Sequence, residues 1–206
     1  MEIEIPCEIV GRLTHVSETL AQSEKREWLR SVFVERADNH AFIGATNSQF
    51  AAIHYLGPNK GDDGFTIVRN SELMLDAARN PDSLAIWKIS DWPMMNFGSV
   101  KTPFGESSVD PIIRDLEAIS TLRKWRNWFP NPQPSETGRP MFLDVDGLQN
   151  LVESSPSGAI IMPKIIDAAK PIIIRDRYEP NWLGVFFAQP EGGIFINGAE
   201  MPDWVK

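Results

Sequence analysis

The 206 residues are 42% hydrophobic and include seven Trp, enough apolar material for one large packed domain or two small ones, which excludes a wholly disordered chain. A net charge of −8 excludes a uniformly basic nucleic-acid binder but leaves room for a locally basic surface on an acidic body. One Cys and three scattered His exclude a disulfide framework and offer no structural zinc set.

No run reaches the ~18 consecutive apolar residues of a membrane span. The opening Met-Glu-Ile-Glu-Ile-Pro is acidic and alternating, unlike the basic and then apolar start of a signal peptide. A soluble, cytoplasmic protein is therefore expected. Residues 2–5 read as a short strand, and Pro6 stands where a helix begins. Ile9, Leu13, Val16 and Leu20 recur at helical spacing and predict an amphipathic helix over about residues 6–22. Residues 28–36 alternate as a strand, with Leu29, Val32 and Val34 as buried positions. Asp38-Asn39-His40 is turn-like, and residues 41–46 and 49–56 are two further strands. The Gly-rich stretch 57–64 is a loop by composition, and 65–68 is a strand leading into a helix.

Beyond residue 89, Trp92-Pro93 and Phe97-Gly98 precede a hairpin at 99–104. Asp110-Pro111 reads as a helix start, an N-cap acceptor followed by Pro at the first helical position. Ile112, Leu116, Ile119, Leu122, Trp125 and Phe129 carry that helix to about residue 129. Pro130, Pro132 and Pro134 then make a stiff linker. Residues 141–144, 172–175, 182–188 and 194–197 follow as strands. The expected class is α+β with strands dominating.

Residues 70–89 and 145–165 echo each other. Leu73 aligns with Leu148, Pro81 with Pro156, Ile86 with Ile161 and, after one inserted residue, Lys88-Ile89 with Lys164-Ile165. Each copy reads as a short helix, a Pro/Ser turn and an apolar strand, which suggests modules built by duplication. The order strand, helix, three strands, then strand, helix and two or three strands resembles one domain of a DNA sliding clamp, the processivity factor of replicative polymerases. Within it, Phe42-Ile-Gly-Ala-Thr-Asn-Ser-Gln-Phe50 looks like the family's strand–turn–strand. Pro171-Ile-Ile-Ile-Arg-Asp176 with Asn181-Trp-Leu-Gly-Val-Phe-Phe-Ala-Gln-Pro190 resembles its closing hairpin.

The resemblance implies a DNA-clamp-like domain of helices packed on antiparallel sheets at 1–108. A long helix and Pro-rich linker would occupy 109–139, and an abbreviated second clamp-like unit 140–206. It implies a non-catalytic mechanism without cofactors, in which helices line a channel and basic side chains face phosphates, contacts that are sequence-independent and salt-sensitive. The implied partners are double-stranded DNA, a replicative polymerase or other clamp-binding peptides, and further copies of the chain. Bacterial clamps carry three such domains per chain and several phage clamps two, so a shortened phage-type version is expected. A monomeric binding or inhibitory protein on the same scaffold is the alternative.

The best basic cluster is Arg123-Lys124-Trp125-Arg126, with Arg114 further up the same predicted helix. It reads either as a DNA-facing surface, with Trp125 in the core or as a stacking platform, or as cations complementing a helix C-terminus. Lys25-Arg26 falls where the resemblance implies a phosphate contact, and a solvated charge pair is the plain reading. Trp125, Trp128 and Phe129 read as core or an interdomain wedge, or else as a subunit interface. His15, His40 and His54 lie on different elements without metal-ligand spacing. Asp144 and Asp146 could hold Mg²⁺ with a third carboxylate, but Asp146 is better read as a helix cap. No Gly-x-Gly-x-x-Gly or Gly-Lys-Ser/Thr loop is present. The final Trp204-Val205 pair either packs back on its own domain, closes a partner-binding cleft, or docks on another protein.

Overall fold

The polar–apolar alternation at the start of the chain makes a strand, β1 (Glu2–Pro6), with Ile3 and Ile5 buried and Glu2 and Glu4 facing water. The computed structural model to which it belongs describes residues 2–18, 26–47, 50–69, 72–89, 97–109, 112–113, 115–128, 145–161, 164–165, 171–186, 196–197 and 204. Pro6 closes β1 and α1 (Cys7–Glu18) follows at once. Cys7, Val10, Leu13 and Val16 recur every third residue and are all buried, the inward stripe of an amphipathic helix. The predicted continuation to residue 22 lies outside the described residues.

A 3-10 turn (Glu27–Arg30) leads into β2 (Ser31–Ala37), joined to β3 (His40–Thr46) by a two-residue turn. Asp38 and Asn39 there hold φ of 53° and 63°, the left-handed pair that matches the twist of a hairpin. Next come β4 (Phe50–Pro58), β5 (Gly64–Arg69), α2 (Glu72–Ala78), β6 (Leu84–Lys88), β7 (Phe97–Thr102) and β8 (Gly105–Val109). The runs β1-α1-β2-β3-β4 and β5-α2-β6-β7-β8 have the same order, and each lends its first strand to the other's sheet. The four-stranded sheet is therefore β1-β6-β7-β8, while β5 pairs with β2 in the sheet of β2, β3 and β4. All pairings are antiparallel.

The rest of the chain is β9 (Ile112–Ile113), α3 (Leu116–Leu122), a 3-10 turn (Trp125–Trp128), α4 (Val145–Ser154), β10 (Ile160–Ile161), β11 (Lys164–Ile165), β12 (Ile172–Asp176), β13 (Trp182–Phe186) and β14 (Ile196–Asn197). The single long helix expected from Asp110-Pro111 to residue 129 is corrected. Ile112 and Ile113 pair with Val68 and Ile67 as an edge strand, and the cap of the helix is Asp115. Its carboxylate accepts from the N–H groups of Glu117 at 2.9 Å and Ala118 at 3.1 Å. The apolar period at 112 fitted a helix and a strand equally well, and an open partner edge on β5 decided it. The Pro-rich stretch 130–139 and the expected strand at 141–144 lie outside the described residues.

The two echo copies become α2–β6 and α4–β10, each a helix, a turn and a strand. β13 pairs with β4 from Trp182↔His54 to Phe186↔Phe50, so hydrogen bonding runs unbroken from the 1–108 segment into the 140–206 segment. The result is an eight-stranded sheet, β10-β12-β13-β4-β3-β2-β5-β9, with a separate β11-β14 pair. That large sheet is buried on both faces. Val32, Val34, Ile43 and Ala52 join Ile3, Ile5 and Trp87 of the smaller sheet in one core with Leu13 of α1, Ala77 of α2 and Leu151 of α4. Phe33, Phe65 and Ile67 point the other way and are covered by Ile119, Leu122 and Trp125. A Cβ on Gly147 would stand 1.9 Å from the Phe50 ring, so the backbone of α4 rests directly on β4.

Candidate nucleic-acid interface

The basic cluster spans the C-terminal end of α3 and the 3-10 turn that follows it. Arg123 and Lys124 are exposed at the C-terminal end of α3, where cations complement the helix dipole. The Arg123 guanidinium lies 5.7 Å from the centre of the Phe65 ring. Arg126 is engaged differently. Its Nη1 donates to Glu35 Oε2 at 2.6 Å, and its guanidinium lies over the Trp125 and Phe42 rings at 4.3 and 4.9 Å. Trp125 Nε1 donates to the same Glu35 oxygen at 2.7 Å. Glu35 is only 6% exposed, so its carboxylate is a buried anchor that neutralises Arg126 and pins the segment to β2.

This placement separates features that the sequence reading joined. The basic segment covers the face of the large sheet opposite α1, α2 and α4. Strand alternation is the reason: Phe33, Glu35, Phe42 and Phe65 all project to that face, and the Trp125 segment supplies the apolar cover they need. Trp125 is thus a core residue of this layer, the partly buried Trp128 packs against it, and Phe129 lies outside the described residues. Lys25 and Arg114 lie outside them too. Arg26 is exposed at the start of the 3-10 turn that packs against α1, and its carbonyl accepts from Leu29 N–H at 2.9 Å.

The helix layer itself carries paired charges. Arg12 is bound to Glu8 on α1, and Arg79 is bound to Asp76 at 3.0 Å beside α2. α4 has no Lys or Arg in its sequence. His54 sits on β4 facing this layer, its pKa lowered to about 4 by burial and by the Arg12 charge. His40 Nδ1 is 2.7 Å from the Tyr55 hydroxyl. Burial raises the Cys7 thiol to about 11, which keeps it an inert core group. Among the described residues no group of three or more His, Cys, Asp or Glu could hold a metal. Asp146 falls inside the first turn of α4 rather than at its cap, and Asp144 lies outside the described residues.

The sequence reading passed over Glu35 and named Asp176 without its structural role. Glu35, inside a strand of apolar neighbours, gave one signal, an acidic residue at an inward register position. Asp176, just after an Ile-Ile-Ile-Arg run, organises the β12–β13 turn. Trp204 packs back on the sheet, stacked on Tyr55 at 5.5 Å and 12° between ring planes, so the plain reading of the tail describes this residue. No described helix is long and apolar enough to cross a membrane.

No protein-family model and no curated protein sequence matches the chain. Solved structures do. The DNA polymerase III β subunit from Pseudomonas aeruginosa superposes with a TM-score of 0.57 at 12% identity, over 92% of this chain and 66% of that one. A DNA polymerase III β subunit from Eubacterium rectale gives 0.55 at 10% identity, over 98% and 66%. A Pseudomonas aeruginosa sliding clamp bound to griselimycin gives 0.52 at 13%, over 92% and 65%. The chain thus spans just under two thirds of the length of the clamps it matches. Helices packed on antiparallel sheets, with first strands exchanged between repeated halves, are here the fold of the DNA polymerase III β sliding clamps.

Proposed function

We propose that the protein is a non-catalytic clamp-type factor that works on double-stranded DNA as a processivity or docking platform and assembles from several copies. The observation that carries this reading is the equivalence of β4 and β8. Each is the last strand of a repeated half, and the edge of β4 is extended by β13, whereas β8 ends its sheet. An edge strand of this kind is a template for an antiparallel strand from another chain. Glu106, Ser107 and Ser108 on β8 are exposed. Lys25 and Arg26, on the connection leaving α1, are the basic residues this reading assigns to phosphates. Arg123, Lys124 and Arg126 serve the opposite face. In the same reading, 140–206 is a half unit added to the whole unit at 1–108.

Sedimentation of the purified chain tests assembly. An oligomer is expected, and Ser107→Lys with Ser108→Lys should reduce it to monomer. Retention on circular DNA tests the DNA side. Lys25→Glu with Arg26→Glu should weaken retention about tenfold or more at low salt, and Arg123→Glu with Lys124→Glu should leave it unchanged. A monomer at micromolar concentration without salt-dependent DNA retention would refute the reading. The second reading, a monomeric binding protein on this scaffold, is favoured by the paired charges of the helix layer and predicts that outcome.

A further inference from the structure

Arg36 lies on β2 and projects to the same face as Val34, into the core shared by the two sheets. It is only 1% exposed. Its Nε donates to the Asp62 carbonyl and its Nη2 to the Ile89 carbonyl at 3.4 Å, so the guanidinium ties β2 to the loop before β5 and to the chain just past β6. Nη1 is buried with no hydrogen-bond partner. Among the described residues no carboxylate answers the charge. Glu35 projects to the opposite face, where it holds Trp125 and Arg126. Asp62 is exposed, and Asp63 Oδ1 accepts from the Asp38 N–H at 3.1 Å.

Thr66 stands beside it. Across β2 and β5, Val34 pairs with Thr66 and Arg36 with Gly64, so Thr66 is the diagonal neighbour of Arg36 on the same face, within reach of a long side chain. Thr66 is also 1% exposed, and its hydroxyl has no partner either. The register partners of Arg36 are Gly64 and Ala41, so neither puts a bulky side chain over the guanidinium. A guanidinium keeps its charge on burial, and a buried charge left unpaired is strongly unfavourable. A counter-ion removes that penalty where the chain supplies none. The site carries a single positive charge, and the Asp62 and Ile89 carbonyl oxygens already occupy two of its nitrogens. A compact monovalent anion suits it, and a phosphate dianion does not.

We propose that Arg36 Nη1 and the Thr66 hydroxyl bind a small monovalent anion of the halide class, which neutralises the joint between the two sheets. The inference goes beyond the clamp reading and depends on neither DNA nor assembly. The test is thermal melting of the full chain with chloride exchanged for gluconate, an anion too large for the site. Holding the ionic strength constant removes general screening, and the Arg36→Met variant, which drops the charge and keeps much of the length, removes any other effect of the salt. Relative to that variant, chloride should raise the melting temperature of the unaltered chain saturably, by about 3 °C or more. Thr66→Val should diminish the rise. No difference between the unaltered chain and folded Arg36→Met, or an undiminished rise in folded Thr66→Val, overturns the proposal. If Arg36→Met fails to fold, a crystal of the unaltered chain grown in bromide decides. An anomalous scattering peak beside Arg36 Nη1 supports the site, and a water or nothing there overturns it.

Discussion

Five donors converge on the Asp176 carboxylate: the hydroxyls of Ser155 and Ser157 and the N–H groups of Ser157, Tyr178 and Glu179. Burial acts to raise its pKa, but the hydrogen bonds from Ser155, Ser157 and Tyr178 outweigh it and bring the value to about 2, from an ordinary 3.8. The folded pKa is depressed, so this group's stabilisation is full above about pH 4 and fades as pH falls through about 2. Asp176→Ala should cost about 1–3 kcal/mol in urea unfolding at neutral pH, since it strands the buried Ser155 hydroxyl and removes the acceptor of four part-buried bonds. His54 acts in a higher window. Its pKa falls from 6.5 to about 4 on folding, so the unfolded chain takes up its proton first and stability drops as pH falls from 6.5 toward 4. The loss should reach about 3 kcal/mol by pH 4. His54→Gln should flatten that limb of the pH–stability curve and leave the Asp176 limb in place.

At the scale of elements, the close approach of α1 and α2 rests on Gly11. A Cβ there would stand 2.5 Å from the Ala78 Cβ, and neither atom ends a flexible side chain. In an isolated helix, Gly→Ala stabilises by about 1 kcal/mol. Here overpacking of about 1–3 kcal/mol opposes that gain. Gly11→Ala should therefore lower the melting temperature, and a rise would show that the helices separate freely. The strands β1 to β5 and the helices α1 and α2 were legible in the sequence. In β1 and α1, alternation or three-residue spacing records one buried face. In β2 to β5, apolar runs buried on both faces are bounded by turn residues. The stretch 110–129 was misread because its apolar spacing suits a helix throughout. Only the open edge of β5 and the side chain of Asp115 divide it into a strand, a helix and a 3-10 turn.

At the scale of the molecule, β13 paired to β4 joins the late part of the chain to the early part through one sheet with a core on each face. Such a sheet should unfold as one unit. Calorimetry should give a single transition whose van't Hoff and calorimetric enthalpies agree. A separate early transition releasing 140–206 would contradict the shared sheet. The candidate site was less legible than the fold. Arg123, Lys124 and Arg126 stand out in the sequence as a cationic cluster. Glu35, the partner of Arg126 alone among them, is some ninety positions away, and nothing local shows that the two meet. By itself, the sequence determined the elements outside 110–129, the repeat and the resemblance to a sliding clamp, because burial periodicity and turn chemistry are local. Tertiary structure alone decided that the first strands are exchanged, that the basic segment lies across the sheet from α1, α2 and α4, and that Trp204 stacks on Tyr55. Each of these depends on which face of a strand meets which distant partner, and that is settled by the packing of the whole chain.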